Sequence, residues 1–201
     1  MTIGLFYDTE TTGLPLFKEP SEHPSQPHIV QLAACLVDLT TRKLIDSMDV
    51  IIRPDGWVIP DDIAKIHGIT TERALNDGVP EASAVGVFMD MWAQAKTRIA
   101  HNEQFDARII RIALMRFEDD AVADHWKAGN AECTAKLATP ICQIPPTDKM
   151  VRAGFNKFKT ANLGEAYRHF TGKELENAHS AMADVQGCME VYFAIKEGAA
   201  A

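Results

Sequence analysis

The sequence predicts an α/β chain built on a mixed sheet of five strands with helices on both faces. Apolar runs of strand type come first, at 3–7, 28–38 and 44–53, the last two joined by the short hairpin connection 39–43. Short apolar runs then alternate with segments of helical periodicity, the pattern of a sheet covered on both sides. At 201 residues, 46% hydrophobic and 24% charged, the chain suits one domain over 1–201, with a frayed tail at 197–201.

Taken in order, the first strand ends in Asp8-Thr9-Glu10-Thr11-Thr12-Gly13. Alternation along a strand puts Phe6, Asp8 and Glu10 on one face. Two neighbouring carboxylates repel unless a cation sits between them, and all-oxygen ligation suits Mg²⁺ or Mn²⁺. The alternative is a strand that stops before the acids and leaves both in water. A polar, proline-bearing loop over 14–27 precedes the hairpin. Pro60-Asp61-Asp62 then opens a short helix that stops at His67-Gly68, with Ile69-Thr70 following.

The 80–96 segment carries Val85, Phe88, Met89 and Trp92 at helical spacing, and 98–100 is a short strand leading to His101-Asn102. Helices are expected over 104–117 and within 121–128, and 132–133 supplies the fifth strand. The 145–160 segment reads as a loop in which Lys149, Arg152, Lys157 and Lys159 alternate with Phe155 and Phe158. Such a loop suits contact with a single nucleic-acid strand, or else it is solvated with its aromatics folded back. Asn162-Leu163-Gly164-Glu165 resembles a capping box for a helix ending before Gly172, and a last helix covers 179–196.

Two later acids sharpen the reading of the first pair. Asp106 shares a helix stripe with Ile109, Ile110, Ala113, Leu114 and Phe117, and Asp184 shares one with Cys188, Val191, Tyr192 and Ile195. An ionised acid on a core-facing stripe is costly unless it is paired or bound to metal. Four such acids point to one shared metal site. His179 lies off the Asp184 stripe, at the helix start or on the loop before it, where an imidazole can take a proton from water.

A net charge of −8 argues against a protein that coats duplex nucleic acid through a broad basic surface. It leaves room for local grip on one strand end. No apolar run approaches the roughly 18 residues of a membrane span, and no basic, apolar secretory leader opens the sequence, so the expectation is a cytoplasmic protein with no membrane partner. The four cysteines form no Cys-x-x-Cys pair, which favours free thiols over disulfides or zinc.

These residues resemble the DEDD-type 3′→5′ exonucleases of the histidine subclass, and the sequence is similar to the proofreading exonuclease subunit of bacterial DNA polymerase III. The first motif is matched by Asp8 to Gly13, the second by His101-Asn102-Glu103-Gln104-Phe105-Asp106, and the third by His179-Ser180-Ala181-Met182-Ala183-Asp184. Ile66-His67-Gly68-Ile69-Thr70 also resembles a segment found between the first two motifs. The resemblance implies a ribonuclease-H-like fold and two Mg²⁺ or Mn²⁺ ions held by Asp8, Glu10, Asp106 and Asp184, with His179 as general base. It further implies that Thr11, Thr12, Gly13, Leu14, His67, Asn102 and Phe105 face the terminal nucleotide.

The partners implied are single-stranded DNA or RNA 3′ ends, with a DNA polymerase as a further candidate; oligomeric state has no signature in the sequence. A 3′→5′ exoribonuclease is the alternative within the same chemistry. A phosphatase with an aspartyl nucleophile expects Asp-x-Asp where this chain has Glu10. A non-catalytic polymerase- or nucleic-acid-binding module expects loss of a metal acid, and all four are present.

Overall fold

Five strands form one sheet in a computed structural model that describes residues 2–198. β1 (Ile3–Thr11), β2 (Ile29–Asp38) and β3 (Leu44–Ile51) pair antiparallel; β4 (Thr97–Ala100) runs parallel to β1, and β5 (Ala131–Cys133) parallel to β4. The spatial order is β3-β2-β1-β4-β5, so β1 is central. The helices are α1 (Asp61–His67), α2 (Thr71–Asp77), α3 (Glu81–Trp92), α4 (Glu103–Phe117), α5 (Asp120–Ala128), α6 (Thr134–Cys142), α7 (Asp148–Arg152), α8 (Leu163–Thr171) and α9 (Ala181–Gly198).

Alternation along β1 sorts its side chains between two cores. Leu5 and Tyr7 pack with Phe88, Trp92, Ile109, Ile110 and Trp126 from α3, α4 and α5. Phe6 packs on the opposite side with Ala181, Val185, Cys188 and Tyr192 of α9. Both faces of the sheet are therefore covered, as the strand–helix alternation predicts. All four cysteines are free thiols. Among the described residues, no helix is long and apolar enough to cross a membrane.

Several elements differ from the sequence expectation for identifiable reasons. Helix α3 ends at Trp92 rather than near 96, because Lys96 hands its N–H to the Ile3 carbonyl and extends the pairing of β4 with the central strand β1. Helix α2 has no counterpart in the sequence expectation: it buries only Ala74 and so lacks an apolar stripe, and is set instead by the Thr70 hydroxyl accepting from the Arg73 N–H. Helix α6 carries Pro140, which reads as a breaker in sequence but falls in the last turn. The last helix starts at Ala181, since His179 has a left-handed backbone (φ 69°), and it continues through Gly198. Residues 197 and 198 are thus helical rather than tail, and 199–201 lie outside the described residues.

The capping box of α8 forms as its sequence predicts, with the Glu165 N–H donating to Asn162 Oδ1 at 2.8 Å and the Asn162 N–H to Glu165 Oε2 at 2.9 Å. Asn162→Ala is expected to cost about 1 kcal/mol, a fall of roughly 2–4 °C in a thermal melt. An unchanged melting temperature would show that the cap carries no stability.

Candidate active site

β1 continues through both acids to Thr11, so the reading in which the strand stops before them does not hold. Asp8 and Glu10 follow Phe6 onto the α9 side, while Thr9 faces α4. Pairing between β1 and β4 ends at Phe6, which leaves the Thr9 N–H without a strand partner. Asp106, in the first turn of α4, takes that place: its Oδ1 accepts from the Thr9 N–H at 3.0 Å and from Thr9 Oγ1 at 2.7 Å. Asp184 occupies the first turn of α9. Acids from one strand and two helices on opposite faces thus meet at the end of β1.

The cluster is electrostatically costly as it stands. Burial, then the charges of Asp106, Asp184 and Glu10, hold the Asp8 carboxyl well above the usual carboxylate range. Burial, then Asp184 and Asp106, push Glu10 up to about 8. Burial raises Asp106 to about 7 against the opposing pull of its Thr9 hydrogen bonds, and burial raises Asp184 as well. One ligand atom each from Glu10, His179 and Asp184 lie within 4.8 Å of one another. The His179 N–H donates to Asp184 Oδ2 at 3.3 Å, whereas Asp184 Oδ1 is buried with no hydrogen-bond partner. Clustered carboxylates with an orphaned buried oxygen are the donor set that a hard divalent cation satisfies.

Several supporting residues escape a reading of the sequence alone. Gln31 donates to Asp49 Oδ1 at 2.7 Å and accepts from the Ala181 N–H at 3.2 Å, fixing the start of α9 beside Asp184. Glu103 receives Tyr7 Oη at 3.2 Å and Arg98 Nε at 2.7 Å in a buried network that orients the start of α4. The Arg98 guanidinium also lies 4.1 Å from the Trp126 ring centroid. His101 Nε2 donates to the Ala161 carbonyl at 3.0 Å, leaving Nδ1 to pair with the Thr134 hydroxyl at 2.9 Å. Burial holds its pKa down, so His101 acts as a neutral brace. The polar residues interleaved with the motifs, Thr9 above all, are the signal that could have found them.

The residues expected to face a nucleotide fall into three places. Leu14, Asn102 and Phe105 line one groove with Phe17, Gln104 and Arg108, of about 520 Å³. Asn102 adopts a left-handed backbone (φ 65°) at the start of α4 and makes no side-chain cap, which leaves its amide free at the surface. Thr11, Thr12 and Gly13 form the turn leaving β1. There the Thr12 N–H donates to the His28 carbonyl and the Thr11 hydroxyl to the Gly13 carbonyl, so both are used within the protein. A Cβ on Gly13 would meet nothing within 4 Å, so that side of the turn is open. His67 is buried; its Nδ1 accepts from the Ile69 N–H at 3.1 Å, and Nε2 has no partner. Burial, then the neighbouring His179, lower its pKa.

The strand-end acids and the two helix-borne acids come together at one end of β1, and comparison with known families places the chain. The RNase_T family model, described as Exonuclease, matches residues 5–192, and the chain belongs to that exonuclease family. Its fold is shared with exonuclease I of E. coli. The complex of that enzyme with a dT13 oligonucleotide superposes with a TM-score of 0.72 at 23% identity, covering 98% of this chain and 41% of exonuclease I. Its zinc-bound complex with single-stranded DNA gives the same values. A product-bound exonuclease I gives a TM-score of 0.70 at 23% identity, over 98% of this chain and 44% of the other. The chain thus spans 41–44% of the length of these relatives. No match is found among curated proteins. The five-stranded mixed sheet with helices on both faces is the ribonuclease-H-like fold of these exonucleases.

Proposed function

We propose that the chain is a 3′→5′ exonuclease that removes nucleoside 5′-monophosphates from single-stranded DNA. The observation that carries this reading is the convergence of Asp8, Glu10, Asp106 and Asp184, with His179 beside Asp184, in a member of an exonuclease family. Solved exonuclease I structures hold single-stranded oligonucleotides, which supports the choice of substrate.

Asp8, Glu10, Asp106 and Asp184 would hold two divalent cations, Mg²⁺ or Mn²⁺. Bound there, the ions supply charge stabilisation for the attacking and leaving oxygens of the last phosphodiester. The rest belongs to the chain. Thr9 fixes the Asp106 carboxylate through two hydrogen bonds. The His179 imidazole is exposed at the mouth of the site and takes the proton of the attacking water, while the backbone N–H of His179 ties its loop to Asp184. The Leu14–Phe105 groove receives the terminal base, with the exposed Asn102 offered to the sugar and phosphate, whereas His67 Nε2 is closed off from the surface and is not offered to substrate in this conformation. The open face of Gly13 permits close approach of the nucleotide. All of these groups come from one copy of the chain, so cleavage is expected without a polymerase.

His179→Gln is expected to lower kcat on single-stranded DNA about a hundredfold with KM little changed. A variant that kept kcat within a fewfold of wild type would take the general-base role away from His179. The reading as a whole is tested with 5′-labelled single-stranded DNA and RNA of one sequence, each with Mg²⁺ and with chelator. Metal-dependent shortening, faster on DNA, is expected. Faster shortening of RNA would make the chain an exoribonuclease, and metal-independent cleavage would reject the site.

A further inference from the structure

The segment between α6 and α8 is the part of the molecule that the catalytic reading leaves unused. It is a closed loop: the Lys159 N–H donates to the Ile144 carbonyl at 2.9 Å, and α7 occupies its middle. Two residues beyond Lys159, the Ala161 carbonyl accepts from His101, the residue before Asn102. The loop is therefore rooted at the edge of the substrate groove.

Its side chains stay outside. Phe155 is 65% exposed and Phe158 47%, and Val151 is 49% exposed between them and the loop base. The alternative in which the aromatics fold back on the body is thus not the conformation adopted. Gly154, with φ 81°, ends the short helix and turns the chain so that Phe155 projects. Lys149, Arg152 and Lys157 are exposed and make no ion pair among the described residues, whereas Lys159 is held by Glu165. Asp148 is the lone acid among residues 144–159, against four cations, in a chain whose net charge is −8.

Resting on the exonuclease reading above, we infer that this loop grips the single strand upstream of the nucleotide being removed. Phe155 and Phe158 stack on unpaired bases, and Lys149, Arg152 and Lys157 meet the intervening phosphates. Interleaved aromatic and cationic side chains fit a single strand, which offers flat apolar bases along a charged backbone. A duplex hides those base faces. A purely apolar protein partner would leave the three cations desolvated. An anionic membrane could take both kinds of side chain, yet a bilayer lying on a loop rooted beside His101 would cover the groove that the substrate must enter.

Two loop variants of the full chain test this: Phe155→Ala with Phe158→Ala, and Lys149→Gln with Arg152→Gln and Lys157→Gln. Binding of an oligothymidylate of about twelve nucleotides is read by fluorescence anisotropy in chelator, where no cleavage intervenes. The aromatic pair is expected to weaken binding about ten- to a hundredfold. The cation triple is expected to flatten the dependence of log K on log salt by about 2. The ratio of kcat/KM for that oligomer to kcat/KM for the p-nitrophenyl ester of thymidine 5′-monophosphate, which has no upstream strand, is expected to fall with affinity.

Equal losses on both substrates would place the loop's effect in the active site and overturn the inference, as would wild-type affinity in both variants. Loss of binding to phosphatidylserine vesicles with oligomer affinity intact would overturn it in favour of a membrane. If the wild type binds but cleaves neither substrate, the exonuclease reading fails, while the anisotropy series still decides what the loop does.

Discussion

Replacing Asp8 by alanine is expected to lower kcat on single-stranded DNA by about a thousandfold or more, equivalent to about 4 kcal/mol of transition-state stabilisation. The Asp8 carboxyl is raised by burial and further by the charges of Asp106, Asp184 and Glu10. Its removal takes away a metal-holding group and three repulsions together. The metal-free variant should therefore melt no lower than the wild type, which separates lost chemistry from lost folding. Retention of activity within tenfold of wild type, measured on 5′-labelled oligomer with saturating Mg²⁺, would remove Asp8 from the site.

The second large effect is on stability, and its sign follows from burial. Metal-free Glu10 titrates near 8 and Asp106 near 7, far above their values in an unfolded chain, at about 4.3 and 3.9. A raised folded-state pKa means that their contribution is fully present below the unfolded values and is lost as pH rises through the folded ones. Metal-free protein should thus lose stability between about pH 4 and pH 8. Asp106→Asn keeps an oxygen for the two Thr9 donors but removes the charge. At pH 8 in chelator it should be more stable than wild type by on the order of 1–2 kcal/mol, with the difference vanishing near pH 4. Mg²⁺ or Mn²⁺ should raise the wild-type melting temperature more at pH 8 than at pH 5, and raise that of the variant less. A variant destabilised at pH 8 would mean that Asp106 serves as a hydrogen-bonding brace rather than a cation ligand.

Asp8, Glu10, Asp106 and Asp184 are legible in the amino-acid sequence because each breaks a local rule: two end a strand on one face, and two interrupt apolar helix stripes. A charge where the pattern demands an apolar residue is visible in one dimension. What is not legible there depends on contacts across the fold. Thr9 matters because β4 stops pairing at Phe6, and Gln31 because it reaches Ala181, 150 positions away. The 145–160 loop is legible as composition, but whether Phe155 and Phe158 face in or out depends on how the loop closes at Ile144 and Lys159. Helices α2, α6 and α7, the last inside the segment read as a loop, escape detection because short helices set by a cap, or carrying a proline, have no apolar period to find.

The most direct test of the exonuclease reading compares one oligodeoxynucleotide labelled at its 5′ end with the same oligomer labelled on its 3′-terminal nucleotide, both digested in Mg²⁺. The expected result is a descending ladder from the first and immediate release of labelled mononucleotide, without a ladder, from the second. The reverse pattern, or internal fragments from both, would contradict removal of nucleotides from the 3′ end and with it the roles assigned to the Leu14–Phe105 groove and the four acids.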